Sequence, residues 1–283
     1  IILWAGLRAF ERDLENICRH YSEMGVKGFK IDFEDRDDQL MTAFNHKAAE
    51  TAARYNLVLD IHGSYKPAGL NRTWPNVLNF EGVNGLENMK WSTLDQFDII
   101  SYDAWIPFIR QFAGPLDYTQ GAMNNAGRDN FRPINESPMS PGTRAHQMAL
   151  YMILYSPLNM LCDSPSNYRR EQECTDFIAS VPTVWDETIV LDGKMGEYIV
   201  TARRKGNEWY IGGITNWTPR EVSIDLSPLK LKEVSQISLF TDGVNAHRNG
   251  NDYTHQIIEA STSAQLKIKM APGGGFAAKV IRQ

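Results

Sequence analysis

Three cysteines in 283 residues, Cys18, Cys162 and Cys174, are an odd number at wide spacing, which leaves no disulfide framework and no cysteine zinc pattern. No run of basic residues occurs, and the net charge is −5 from 29 basic and 34 acidic residues, so nucleic acid is not an expected partner. No apolar stretch reaches the ~20 residues that span a bilayer, so no membrane span is expected. Neither GxGxxG after a strand-like run nor GxxxxGK(S/T) is present, which argues against a nucleotide site. HxH and HExxH spacings are missing, and no Ser–His–Asp or Cys–His signature stands out. The chain also has no initiator Met and no basic n-region. It opens Ile1-Ile2-Leu3-Trp4-Ala5, inside an apolar strand-like run, and reads as cut from something longer.

What is present is the composition of a globular protein, 42% hydrophobic and 22% charged, which excludes disorder, collagen and coiled coil. The length suits one large domain or two ordinary ones. Aromatics, at 11% with seven tryptophans, suit carbohydrate binding and a large core equally.

The first two-thirds alternate short apolar runs with amphipathic segments. Strands are predicted at 1–5, Val26–Phe33, Leu57–Ile61, Val77–Phe80 and, more briefly, Leu116–Tyr118 and Leu158–Cys162. Helices are predicted at 11–24, 38–55, His146–Tyr155 and 168–180. Such alternation points to parallel βα units, in a doubly wound sheet or a (β/α)8 barrel. From about residue 188 the runs are short and alternating, separated by Asp-Gly and Asn-Gly turns, which reads as an antiparallel all-β module. The expected division is 1–187 and 188–283.

In βα architectures chemistry sits beyond the carboxyl ends of the strands. Lys30 and Asp32 are two apart, so they share one face of their strand, with Ile31 and Phe33 on the other. They would present charge to a ligand, or form a strand-end salt bridge beside a solvated acidic loop. Asp60 and His62 share a face in the same way, and His62 reads as a site residue or as a structural histidine. The polar and aromatic loop that follows carries Trp74, and loops of this kind often line a site. Glu81 and Glu87 bracket a Gly/Asn-rich turn, which suits a hard-cation site, acid–base chemistry or a plain surface turn. Asp163 would contact a polar ligand or cap the next turn. Carboxylates recurring at strand ends suit glycoside hydrolysis, where two carboxylates flank the scissile bond.

The runs GVKGFKIDF (25–33) with DRDDQ (35–39), DIHG (60–63), KPAGLNRTWPN (66–76), EGVNGLE (81–87), GPLDYTQGAM (114–123), TRAHQMALY (143–151) and SPLNMLCDSP (156–165) together resemble glycoside hydrolase family 97. The resemblance implies α/β plus all-β architecture: a partial (β/α)8 TIM barrel, about strands 3 to 8, followed by a C-terminal β-sandwich. It implies that a large N-terminal β domain and strands 1 and 2 of the same chain precede Ile1, and that a calcium ligand they supply is missing with them.

The family divides by mechanism. Asp32 fills the nucleophile position of its retaining branch, and no glutamate stands near His62-Gly63, where the inverting branch places a base. Glu87 matches the acid/base glutamate, and Glu81 and Glu87 match calcium (Ca2+) ligands. Lys30, His62, Trp74 and Asp163 are the implied substrate-binding residues, with Lys30 keeping Asp32 ionised. The implied activity is a retaining α-galactosidase acting on galactosides or oligosaccharides in the periplasm or outside the cell. The alternatives are an α-glucosidase of the same family and a non-catalytic, calcium-dependent carbohydrate-binding protein.

Overall fold

Short apolar runs become the strands of a parallel sheet in the computed structural model, which describes residues 1–231, 235–260 and 265–281. Strands β1 (Ile2–Gly6), β2 (Gly28–Asp32), β3 (Val58–Ile61) and β4 (Val77–Phe80) pair in sequential order, all parallel. Helices α1 (Leu7–Arg12) and α2 (Leu14–Glu23) follow β1, and α3 (Gln39–Arg54) follows β2. The Asp38 side chain caps α3 by accepting from Met41 N at 3.1 Å. Short α4 (Leu70–Thr73) precedes β4. Phe10, Leu14, Cys18, Ala48, Ala49 and Ala52 of the helices pack on Phe29, Ile31, Leu59 and Ile61 of the sheet. The small alanines at 3/4 spacing let α3 lie close to the strands. These elements, with Arg110–Tyr118 and Tyr155–Asn159, form the first of two compact units.

The parallel sheet has four strands where six were expected. Leu116–Tyr118 and Leu158–Cys162 form no strand. Asp117 N does donate to Phe80 O at 2.9 Å, and Leu116 N to Tyr155 O at 3.0 Å, but these are isolated bonds. Pro157 has no N–H to extend a ladder. The Leu158 carbonyl instead accepts from the side chains of Asn79 (3.0 Å) and Ser156 (2.9 Å).

The second unit comprises Leu86–Ile109, Thr119–Leu154 and Met160–Gln283. It holds helices α5 (Ile99–Asp103), α6 (Arg144–Ile153), α7 (Pro165–Arg170) and α8 (Gln172–Ser180), and a two-residue parallel pair, β5 (Asn125–Ala126) with β6 (Ser140–Pro141). The helix expected over 168–180 is broken at Glu171, whose backbone leaves the helical region at ψ 47°. Strands β7 (Glu187–Lys194), β8 (Tyr198–Lys205), β9 (Glu208–Thr215), β11 (Ser235–Asp242), β12 (Tyr253–Ala260) and β14 (Gly275–Ile281) make a six-stranded antiparallel sheet. Strands β10 (Arg220–Asp225) and β13 (Gln265–Met270) pair as a second sheet. Val222, Ile224, Leu266 and Ile268 of the small sheet pack against Val200, Ile211, Leu239 and Phe276 of the large one, the face-to-face arrangement of a sandwich. The large sheet's other face, with Tyr210, Phe240 and Ala277, meets Met148, Met152 and Phe177 of α6 and α8. Gly212 permits that approach, since a Cβ there would lie 2.7 Å from the Ala149 carbonyl oxygen.

Candidate active site

The period-2 alternation of the parallel strands builds the site. Ile31 and Ile61 face the helices, so Lys30 and Asp60 face the other way, and the register aligns Trp4, Lys30, Asp60 and Asn79 in one polar row. His62 and Glu81 stand just beyond the ends of β3 and β4.

Five ionisable groups converge along this face. His62 Nε2 lies 2.6 Å from Asp117 Oδ2 and 3.7 Å from Asp60 Oδ2, and Lys30 Nζ lies 3.3 Å from the same Asp117 oxygen. Across the ring, His62 Nδ1 lies 3.6 Å from Glu81 Oε1, and Glu81 Oε2 accepts from Gly63 N at 2.7 Å. Asp60 is 0% exposed, and neither of its oxygens receives a hydrogen bond from the described residues.

Burial therefore pushes the Asp60 carboxyl well above the usual carboxylate range, and the neighbouring Asp117 charge adds to this. Burial works against ionised Asp117 too, but the His62 hydrogen bond and the Lys30 charge outweigh it and hold Asp117 low. Burial likewise opposes a charged His62, and the hydrogen bond to Asp117 with the charges of Asp60 and Asp117 overcomes it, raising the imidazole. The two buried aspartates are thus pushed apart, Asp60 up and Asp117 down, with Lys30 and His62 both paired to Asp117. Asp60, His62 and Asp117 each bring a ligand atom within 4.8 Å of the others, a geometry that can hold a metal ion.

Asp32 closes β2. Its Oδ1 accepts from Phe33 N at 2.7 Å and its Oδ2 from Trp4 Nε1 at 2.9 Å. The expected partnership with Lys30 is not what forms: the ion pair of Lys30 is with Asp117, which arrives from the loop after Arg110. Beyond Asp32 the backbone is contorted, with Phe33 at φ +65° and Asp35 at φ +50°. Such left-handed residues collect at functional sites. Between them Glu34 turns inward and is 3% exposed. Its Oε2 accepts from Asn45 Nδ2 at 3.0 Å, while Oε1 is buried without a hydrogen bond. Burial raises this carboxyl to about 7, with the Asn45 hydrogen bond opposing and the Asp32 charge assisting.

Two residues that sequence reasoning did not select hold this arrangement. Asp117 neutralises Lys30 and His62. Buried Arg110 donates to the carbonyls of Phe80, Glu81, Gly82, Gly114 and Pro115, pinning the end of β4 to the loop that carries Asp117. Neither carries a periodic signal, since both lie in irregular segments.

The remaining candidates lie elsewhere. Trp74 packs against the cluster on the helix side of the sheet, away from the polar row. Glu87 and Asp163 belong to the second unit. Glu87 lies exposed in the first turn of a 3-10 helix, Leu86–Lys90. Asp163 Oδ2 accepts from Met123 N at 2.8 Å, and its Oδ1 accepts from Ser164 N and Asn167 Nδ2, both at 2.7 Å, at the start of α7.

Known proteins of this kind share the chain. A family model described as glycoside hydrolase 97 matches residues 1–83, and one described as glycosyl-hydrolase 97 C-terminal, oligomerisation, matches residues 184–281. The chain is 64% identical over 280 residues to a retaining alpha-galactosidase of Bacteroides thetaiotaomicron, covering 99% of this chain and 42% of that protein. It is 32% identical over 255 residues to a probable retaining alpha-galactosidase of Streptomyces bingchenggensis, covering 90% of this chain and 36% of that one. A solved family 97 enzyme from Pseudoalteromonas sp. strain K8, in complex with acarbose, matches with a TM-score of 0.88 at 29% identity, over 99% of this chain and 46% of that one. A beta-arabinopyranosidase shares the fold, with a TM-score of 0.83 at 24% identity, over 98% of this chain and 45% of that one. This chain thus spans less than half the length of the curated relatives it matches. With both family models satisfied along it, the chain belongs to glycoside hydrolase family 97.

Proposed function

We propose that the protein is a retaining α-galactosidase, with Asp32 as nucleophile and Glu87 as acid/base. The observation that carries this reading is the state of Asp32: a carboxylate at the end of a parallel strand, on the polar face, with one N–H donor on each oxygen. Identity to a retaining alpha-galactosidase supports the substrate class. Gly63 supports the retaining branch. The resemblance puts the inverting base near His62-Gly63, where no glutamate stands, and a Cβ on Gly63 would lie 3.0 Å from Phe33 N. A side chain there would require the Phe33–Glu34 backbone to give by a few tenths of an ångström, at a residue whose φ is +59°.

We infer that the parallel sheet is a sector of a (β/α)8 barrel, about strands 3 to 8, within residues 1–187, and that 188–283 is the C-terminal β-sandwich domain. Sequential strand order with helices on one face suits a barrel. A doubly wound sheet reverses order and carries helices on both faces.

In the reaction Asp32 attacks the anomeric carbon while Glu87 protonates the leaving oxygen. The C–O bond to Asp32 forms as the glycosidic bond breaks. Glu87 then takes a proton from water, which displaces Asp32 and releases the sugar with its configuration retained. Lys30 and His62 are read as donors to sugar hydroxyls. Asp163 and Trp74 are read as structural, in a turn and in the core.

For calcium, Glu81 and Glu87 would be the ligands, since carboxylate oxygens suit a hard cation. Glu81 is already oriented by Gly63 N–H. The Asp60–His62–Asp117 group suits calcium less, because it offers an imidazole and its Asp117 charge is matched by His62 and Lys30. Calcium at Glu81 and Glu87 would supply positive charge to stabilise the leaving oxygen. Among the described residues no helix is long and apolar enough to cross a membrane, and a periplasmic or secreted location is our reading from the family.

The test uses aryl α-galactosides and α-glucosides. Asp32→Ala should lower turnover on the order of 10⁴-fold, and azide should restore part of it as β-galactosyl azide. Turnover unchanged in Asp32→Ala would remove Asp32 from the chemistry. A preference for the glucoside would move the assignment to α-glucosidase.

A further inference from the structure

Around Asp32 stand two aromatic rings in an unusual state. Trp4 is 56% exposed and Phe33 62% exposed. Their rings meet edge to face at 5.6 Å and 79°. Phe33 holds φ +65°, a conformation that a bulky residue enters only when its surroundings impose it. The sheet register aligns Trp4 with Lys30 and Gly6 with Asp32, so Trp4 shares the polar face with Asp32. Its indole N–H reaches Asp32 Oδ2 at 2.9 Å while the Phe33 amide takes Oδ1 at 2.7 Å.

We propose that Trp4 is a positioning residue for Asp32, an inference that rests on Asp32 being the nucleophile. The last torsion of an aspartate side chain is broad and roughly two-fold, so a carboxylate at a strand end does not fix its own plane. Two N–H donors, one per oxygen, fix it. Each oxygen keeps a second lone pair for attack on the anomeric carbon. When water displaces the sugar, Asp32 leaves as a carboxylate and finds both donors in place. The indole suits this task because it donates and never accepts, and it does not titrate. Phe33, braced against the Trp4 ring, supplies the other donor from the strained backbone.

The test is made in the intact protein with nitrophenyl α-galactoside. Trp4→Phe keeps a ring and deletes the N–H. A hydrogen bond to a charged group corresponds to a loss of about tenfold to a hundredfold in kcat, with KM changing far less. Benzothienylalanine at position 4 replaces the N–H by sulfur in the same shape, and gives the same loss should Trp4→Phe fold poorly. The second arm places Trp4→Phe in an Asp32→Gly background rescued by azide. With no carboxylate to hold, the rescued rate should be the same with Trp or Phe at position 4. An equal penalty in both backgrounds would show that Trp4 acts through the fold or on the sugar, and overturns the proposal. So does full kcat in Trp4→Phe with Asp32 present. Failure of the underlying reading shows separately: Asp32→Gly alone would then keep its turnover, or azide would yield no β-galactosyl azide.

Discussion

In the second unit Arg144 is fully buried, and each nitrogen of its guanidinium has a partner. Nε donates to Asn125 Oδ1 at 2.6 Å, Nη1 to Glu171 Oε2 at 2.8 Å, and Nη2 to Met123 O at 2.6 Å and Asn251 Oδ1 at 3.0 Å. In the first unit Asp60 is buried just as deeply, yet neither of its oxygens receives a hydrogen bond, and Glu34 nearby leaves one oxygen in the same state. A buried polar group without partners costs free energy that packing must offset. The second unit has removed that cost around Arg144. The first retains it at the strand ends, at Glu34 and Asp60 near Asp32, as the second does at Asp242 Oδ1. The contrast separates a polar network that holds a fold from one kept for chemistry.

The contrast can be broken by substitution. Arg144→Met should cost about 3–5 kcal/mol in urea unfolding, because it strands Asn125, Glu171 and Asn251. A cost under about 1 kcal/mol would mean that the network around Arg144 is not structural. In the first unit the two aspartates should diverge. Asp117→Asn removes the counter-charge of Lys30 and His62 and should cost about 3 kcal/mol at pH 7.

Glu34→Gln sharpens the comparison through pH. The folded carboxyl titrates at about 7 against an ordinary 4.5. Between those values the folded protein keeps a proton that the unfolded chain has released. Stability therefore falls as pH rises through this window and is level above it, a loss of about 3 kcal/mol. Glu34→Gln should match the parent at pH 4 and exceed it by about 3 kcal/mol at pH 8. Parallel stability curves would show that Glu34 is ionised in the fold. The smallest effect is expected at Asp60. Burial already disfavours the charged form of Asp60, so Asp60→Asn should change stability by less than about 1 kcal/mol.

Much of the site was legible because strands have a period of two. Lys30 with Asp32, and Asp60 with His62, could be assigned to one face from spacing alone: the register aligns Lys30 with Asp60, and His62 Nε2 lies 3.7 Å from Asp60 Oδ2. Phe33, expected opposite them beside Ile31, instead meets the Trp4 ring, because its φ of +65° breaks the alternation. Strand β4 matched its apolar run to the residue. What escaped lay in irregular chain. Asp117 meets Lys30 across 87 residues and His62 across 55, and a three-residue apolar run bears no mark of such partners. The Leu158–Cys162 run looked like a strand because its side chains are apolar, but Pro157 and the capture of the Leu158 carbonyl by side chains decided otherwise. Trp74 drew attention as an aromatic in a polar loop, and nothing local tells that its ring turns to the helix side. The burial of Glu34 depends on two left-handed neighbours, Phe33 and Asp35, that composition does not announce.

The most direct test of the account is the stereochemistry of the first product. With an aryl α-galactoside followed by proton NMR from the first turnovers, double displacement through Asp32 predicts that α-galactose appears first and that the β anomer grows in only by mutarotation. β-Galactose appearing first would contradict a covalent intermediate on Asp32.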